Sequence, residues 1–269
     1  MKRLKGKIMR WIFIGILVIL LFLYCYQCFW IHENAYFVPD YPRIALTEST
    51  SYESIYQQTG LGKSAVDRLL SEERFDEIQK VQDAFFSPDT IECVSIFSWI
   101  TMSDRIQKED SAPLVDLQPG DILLSLSTHS LGWRHGHVGL VLDEERVLEC
   151  TTIGKDSSIV KAKHWRKYSN YVVLRVKGVT DELQQQVVSY AKENLCGIPY
   201  HLSAGFIGKK APNEDERYFG LQCAYLVWYA WQKFGYDLDS DGGRLVTAND
   251  LMNCDKLEVV QVYGCIFTM

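Results

Sequence analysis

The chain has no excess of basic charge. Its 28 Lys and Arg face 34 Asp and Glu, a net charge of −6, and that balance does not build the positive surface that nucleic acid requires. It has no internal repeat and no low-complexity tract, so a solenoid is not expected. No C-x-x-C lies beyond the first thirty residues, and no H-E-x-x-H occurs anywhere; a zinc ribbon and a zincin are unsupported. The segment Gly60-Leu-Gly-Lys-Ser64 stops short of a P-loop, because Gln57 stands where that motif needs its first glycine. What is present is a composition of 47% hydrophobic and 23% charged residues over 269 positions, which suits one main globular domain with additions.

The first thirty residues stand apart. Lys2, Arg3, Lys5, Lys7 and Arg10 form a basic tail without an acid, and Trp11 to Ile31 then carries no charge. A helix of that length spans about 31 Å, the thickness of a hydrocarbon core. Basic residues beside a span stay on the cytoplasmic side, so the expected arrangement is a cytoplasmic tail (1–10), a transmembrane signal anchor (11–31) and an extracellular remainder. Trp11, Tyr24, Tyr26 and Trp30 sit near the ends of the span, where aromatic rings favour the interface. A cleaved signal peptide would have a shorter apolar stretch and small residues at its cleavage site. Here Tyr24, Tyr26, Gln27 and Phe29 surround the end of the run, so an uncleaved anchor is expected.

Of eight cysteines, Cys25 and Cys28 fall in the span and Cys93, Cys150, Cys196, Cys223, Cys254 and Cys265 beyond it. Their irregular spacing shows no disulfide framework. Residues 32–114 read as a connector and helical region of unknown role: an exposed connector over 32–55, with Pro39, Pro42 and the polar run Thr47 to Ser51, then helices over Ser64 to Leu70 and Ser71 to Ala84, then a strand over Ile91 to Trp99. From Leu117 the pattern becomes short strands: Asp121 to Leu126, His137 to Leu142, Val147 to Thr152 across an Asp143-Glu-Glu-Arg146 turn, Ser158 to Lys163, and Tyr171 to Val176. Helices are expected over Asp181 to Leu195, after Thr180, and over Tyr218 to Phe234, stopping at Gly235, with a last strand over Leu257 to Val262. Strands grouped with few helices indicate an α+β fold.

The helix from Tyr218 places Cys223, Leu226, Val227, Ala230, Trp231 and Phe234 on one apolar face with the thiol near its N-terminus. The helix dipole and free backbone N–H groups there favour a thiolate and can hold an oxyanion. The plain alternative is a small core cysteine. A nucleophilic thiol needs a base, and His137 opens a strand between Gly136 and Gly139; His135, which shares its face if the strand extends that far, is the competitor. Glu149 lies twelve residues after His137 on the hairpin partner, among apolar neighbours, where an acid calls for a partner. It is the candidate orienter of the imidazole, and an edge glutamate facing water is the alternative.

Three stretches together resemble a known family: Leu117-Gln-Pro-Gly-Asp-Ile122 with Gly136-His-Val-Gly-Leu140; Gln222-Cys-Ala-Tyr-Leu-Val-Trp-Tyr-Ala230; and Gly235 to Gly243 running on to Asn249-Asp-Leu251. They look like the YiiX/YaeF-like permuted papain-fold amidases of the NlpC-type peptidase superfamily. The resemblance covers about residues 115–265 and implies a circularly permuted papain-like fold over 115–269. There the histidine strand precedes the cysteine helix and an antiparallel sheet packs on the nucleophile helix. It implies a catalytic Cys223–His137 pair with Glu149 as third member, and a substrate-binding Tyr200 in Gly197-Ile-Pro-Tyr200. Relatives often carry Ser-Glu after the cysteine, where this chain has Ala224-Tyr225.

Two clusters of the sequence invite a metal reading. Asp237-x-Asp239-x-Asp241-Gly242 opens like a calcium loop, but position twelve is Ala248 and a hydrated acidic turn is preferred. His129, His135 and His137 could gather zinc, yet His137 serves the thiol better. The expected function is therefore hydrolysis of an amide bond, peptide or N-acyl, in the cell envelope, without cofactor or metal. A cell-wall peptide or an acylated small molecule or lipid would be the substrate. Lipid acyl hydrolysis or acyl transfer is the alternative, and a catalytically silent binding module is the alternative of another class.

Overall fold

A computed structural model describes residues 2–33, 37–87, 90–96, 101–107, 113–130, 133–206, 210 and 220–265. Its first element is α1 (Lys2–Glu33). Within it Gly6–Tyr26, with mean hydropathy 2.5 and no buried residue, is long and apolar enough to cross a membrane.

Three short helices follow, α2 (Tyr52–Thr59), α3 (Lys63–Ser71) and α4 (Phe75–Phe85). The polar run that reads as linker ends in the cap of α2: the Ser51 hydroxyl accepts from the Ser54 N–H. Gly60 ends α2 at φ +71, where a Cβ would stand 2.1 Å from the Val262 carbonyl oxygen, so only glycine fits. The expected helix over Ser71 to Ala84 begins later than the sequence suggests. Glu73 takes a left-handed φ of +60, and Arg74 becomes the residue before α4.

The strands are β1 (Ile91–Ser95), β2 (Thr101–Ile106), β3 (Ile122–Ser125), β4 (Thr128–Ser130), β5 (His137–Asp143), β6 (Arg146–Glu149), β7 (Ser158–Lys161), β8 (Tyr171–Val176) and β9 (Leu257–Tyr263). Helices α5 (Asp181–Asn194), α6 (Cys223–Gln232) and α7 (Ala248–Met252) are the further α-helices among the described residues. Six strands form one antiparallel sheet in the order β7-β6-β5-β3-β8-β9, and three form a smaller one, β1-β2-β4. The molecule is thus a mixed α+β fold with antiparallel sheets and an N-terminal apolar helix.

Alternation along the strands sorts the core into two layers. Ile122, Leu124, Val138, Leu140, Leu148, Val172 and Leu174 face α5 and α6. Leu123, Val141, Val147, Val173 and Val260 face α2, α3 and α4 through Ile55, Leu61, Val66, Leu69 and Val81. Both faces of the large sheet are therefore covered, which is why its central strands read as nearly continuous apolar runs. The segment before residue 115 supplies one of those covers, and a bridge between Leu61 and Gln261 ties it to β9.

Several expected boundaries change. The strand from Ser158 ends at Lys161 and becomes a 3-10 helix, Ala162–Lys167, which turns Trp165 inward to full burial. The strand from Ile91 ends at Ser95, and residues 97–100 lie outside the described residues. The expected start of the cysteine helix at Tyr218 also lies outside them, but Gly220 to Gln222 are not helical and α6 begins at Cys223. β2, β4, α2 and α7 were not anticipated.

Candidate active site

The sequence before α6 explains why a cysteine opens it. Gly220 has φ +131, and a Cβ there would lie 2.5 Å from that of His201. The chain then bridges Leu221 to Tyr200 and Gln222 caps the helix. The Gln222 side-chain oxygen accepts the Ala224 N–H at 3.0 Å and the Cys223 thiol at 3.5 Å. Its amide nitrogen donates to the Val246 carbonyl. Cys223 is consequently the first helical residue, at the positive end of the helix dipole, and its own N–H has no intrahelical acceptor. Leu226, Val227, Ala230 and Trp231, the expected inner face, are all fully buried. Tyr225, Trp228 and Tyr229 are buried too, so α6 is apolar all round.

His137 opens β5, opposite Ser125 of β3. Two residues on, Gly139 pairs with Glu149 of β6. A Cβ on Gly139 would meet Val147 at 2.5 Å and Trp165 at 2.9 Å. The missing side chain thus makes room for the Trp165 indole, which stacks on the His137 imidazole at 5.1 Å with an 11° tilt. Across the hairpin the diagonal offset brings Glu149 to His137, with Oε2 3.0 Å from Nε2. His164 Nε2 approaches the same oxygen at 3.6 Å.

With Nε2 turned to the carboxylate, Nδ1 is the ring nitrogen that remains; the Cys223 thiol is among the groups that act on the imidazole, while its own hydrogen bond runs to Gln222 Oε1 at 3.5 Å. Burial alone would lower the pKa of His137. Tyr168, Glu149 and Cys223 outweigh that effect and hold it well above the usual 6.5. Burial likewise opposes ionisation of Glu149, but His137, with His164 and Arg105, keeps its carboxyl below the usual 4.5. Both members of the pair are thus biased toward their charged forms while only 5% and 4% exposed.

Tyr200 lies close enough to feel Cys223. Burial, then the charges of Cys223 and Cys150, push its phenol up. Cys150, next to Glu149, is pushed up to about 12 by burial and by Cys223, so it is an inert thiol beside the site.

The competing histidines go elsewhere. His135 is engaged by the Ser130 hydroxyl and the Gly136 carbonyl, each at 3.0 Å. His129 sits with Cys93 and Asp104 on the small sheet, so the three histidines weighed as a zinc site do not converge. In the acidic turn, Asp237 accepts the Trp228 indole N–H at 2.7 Å, and Lys210 pairs with Asp239. A surface cavity of about 550 Å³ lined by Arg68, Leu117, Gln118, Pro119, Asp143 and Arg146 includes none of these residues. Trp165, His164, Tyr168 and Gln222 are the parts of the site that sequence reasoning missed. Only Gln222 left a trace, as the residue before the cysteine.

No family model and no curated protein matches the chain. Among solved structures, one described as the metalloprotein yiiX from Escherichia coli O157:H7 is similar to part of it. Identity is 18%, the match covers 53% of this chain and 96% of that one, and the TM-score is 0.39. A likeness of that degree assigns no residue a role, and the chemistry rests on the side chains themselves.

Proposed function

We propose that the chain is a membrane-anchored cysteine hydrolase that cleaves an amide bond, peptide or N-acyl, in the cell envelope. In this reading residues 115–269 form a circularly permuted papain-like domain held outside the cytoplasm by the apolar helix. The observation that carries it is the buried His137–Glu149 pair, Nε2 to Oε2 at 3.0 Å, with Cys223, the first residue of an apolar helix, among the groups that raise the imidazole's pKa. A core cysteine needs no histidine, and a histidine beside a core cysteine needs no buried carboxylate.

His137 takes the thiol proton and Cys223 attacks the carbonyl carbon. The backbone N–H of Cys223 faces the developing oxyanion at the helix start. His137, held as imidazolium by Glu149, returns its proton to the leaving nitrogen, and water activated by the same imidazole releases the acyl group. Tyr200 borders the thiol and contacts the substrate. A lipid acyl bond, cleaved or transferred, is the second reading. It is favoured by Ile153, Leu202 and Phe206, three exposed apolar side chains on the loops that follow Cys150 and Tyr200.

Competition among thiols tests the reading. Cys196 is exposed and Cys223 only half-buried, so accessibility alone favours alkylation of Cys196. Limiting iodoacetamide at neutral pH, followed by peptide mapping, should label Cys223 first. Labelling of Cys196 ahead of Cys223 would sink the nucleophile assignment.

A further inference from the structure

We propose that Cys93, Asp104 and His129 form a binding site for one zinc-class divalent cation, on the small sheet and separate from Cys223. Strand register creates it. Cys93 of β1 stands opposite Asp104 of β2, and His129 of β4 stands opposite Met102 of β2. Met102 and Asp104 are two residues apart, so they share a face, and all three side chains leave that face together. Three strands distant in sequence thereby deliver one sulfur, one oxygen and one nitrogen to a single place.

The spacing of those atoms suits an ion better than hydrogen bonds. His129 Nε2 is 3.8 Å from Cys93 Sγ and 3.4 Å from Asp104 Oδ1, and all three ligand atoms lie within 4.8 Å of one another. Hydrogen bonds from nitrogen to oxygen prefer about 2.7–3.2 Å, and the His129–Asp104 contact is longer than that. Zinc bonds of about 2.0–2.1 Å to nitrogen and oxygen and about 2.3 Å to sulfur give tetrahedral edges of roughly 3.3 Å and 3.6 Å. The observed separations are close to those edges.

The arrangement does not suit a second nucleophile and base. There the thiol and the acid would use opposite nitrogens of the ring, whereas Cys93 and Asp104 both approach Nε2. The other nitrogen, Nδ1, is buried without a hydrogen-bond partner among the described residues, so among them the ring is positioned by what meets Nε2. Arg134 Nη2 holds the second oxygen of Asp104 at 3.0 Å, the kind of outer contact that orients a ligating carboxylate. Asp104 and His129 are fully buried, and Cys93 is half-exposed, which leaves a way in. A thiolate, an imidazole and a carboxylate together favour zinc over the hard cations, with water completing four-coordination. The ion would staple β1, β2 and β4. β2 also carries Arg105, which lies over the Tyr168 ring at 3.8 Å, and Tyr168 packs on His137.

Cobalt(II) is the probe. The full-length protein in detergent, reduced and stripped with chelator, is titrated with cobalt and followed by thiolate-to-cobalt charge-transfer absorption, then with zinc and followed by thermal melting. About one equivalent of cobalt per chain should develop the absorption. Zinc should displace it and raise the melting temperature. Cys93→Ser should lose both effects and Cys223→Ser should keep both. Should Cys93→Ser lack the circular dichroism of the parent, His129→Gln takes its place with the same expected losses. Absence of the absorption in the parent protein, its retention in the folded Cys93→Ser or His129→Gln variant, or its loss in Cys223→Ser would overturn the proposal. The hydrolase reading is untouched by any of these results.

Discussion

Replacing Glu149 with Gln keeps the shape of the side chain and removes the charge that faces the His137 imidazole at 3.0 Å. A hydrogen bond to a charged group contributes about 1.5–3 kcal/mol, and burial leaves little solvent to screen this one. Converted at about 1.4 kcal/mol per decade, the loss is roughly ten- to a hundredfold in the rate of any step that needs the imidazolium. The direction in pH follows from the same contact. The pKa of His137 is raised above 6.5, with Glu149 among the groups that raise it. The imidazolium therefore survives to higher pH than an ordinary histidine would allow, and the basic limb of reactivity lies correspondingly high. In Glu149→Gln that limb should move toward acid. The assay is the rate of hydrolysis of a model amide, whose leaving nitrogen takes its proton from the imidazolium, measured against pH on the purified full chain and its variant. An unchanged rate and an unchanged basic limb would refute the role given to Glu149.

Cys223→Ala should abolish hydrolysis of model amides and esters, and His137→Ala should come close to it, since nucleophile and base act as a unit and the double variant should lose little more. Stability should also report the buried pair. His137, with its pKa raised from 6.5, stabilises fully below that value and loses the contribution as pH rises through its folded pKa; Glu149, lowered from 4.5, stabilises above that value and loses the contribution as pH falls through its own. The melting advantage of the parent over Glu149→Gln should then be greatest between those two values, and an advantage that keeps growing as pH rises above 6.5 would contradict it. Gly139→Ala forces a Cβ against Val147 and Trp165 and should cost about 1–3 kcal/mol in denaturant melts, as overpacked cores do. Protease added to right-side-out vesicles should digest the chain beyond Ile31, and protection until lysis would place the domain in the cytoplasm.

Much of the large sheet was legible because its signals are local. The Asp143-Glu-Glu-Arg146 turn makes β5 and β6 a hairpin, and a hairpin turns a spacing of twelve residues into a diagonal neighbour, which is how Glu149 meets His137. Thr180 marked the start of α5, whose first turn it caps. The small sheet gave no such signal. β4 is three residues long, and β2 alternates weakly, with Ser103 and Asp104 buried as polar groups. The burial of Asp104 makes sense only with His129 and Arg134, residues that folding alone brings near. The 3-10 helix was missed for a similar reason. Ala162 and Trp165 are its buried positions, three residues apart among lysines and arginine, too short a run to carry a period. The break at Glu73 depends on a left-handed conformation that a glutamate does not advertise.

The central claim is that Cys223 carries an acyl group during turnover. Incubating the full chain with an activated aryl ester, quenching in acid and mapping the adduct by mass spectrometry tests it directly. The expected result is an acyl thioester on Cys223 that hydroxylamine removes, that accumulates in Glu149→Gln as its release slows, and that is absent from Cys223→Ala. An acyl group on another residue, or ester turnover in Cys223→Ala equal to that of the parent, would contradict it.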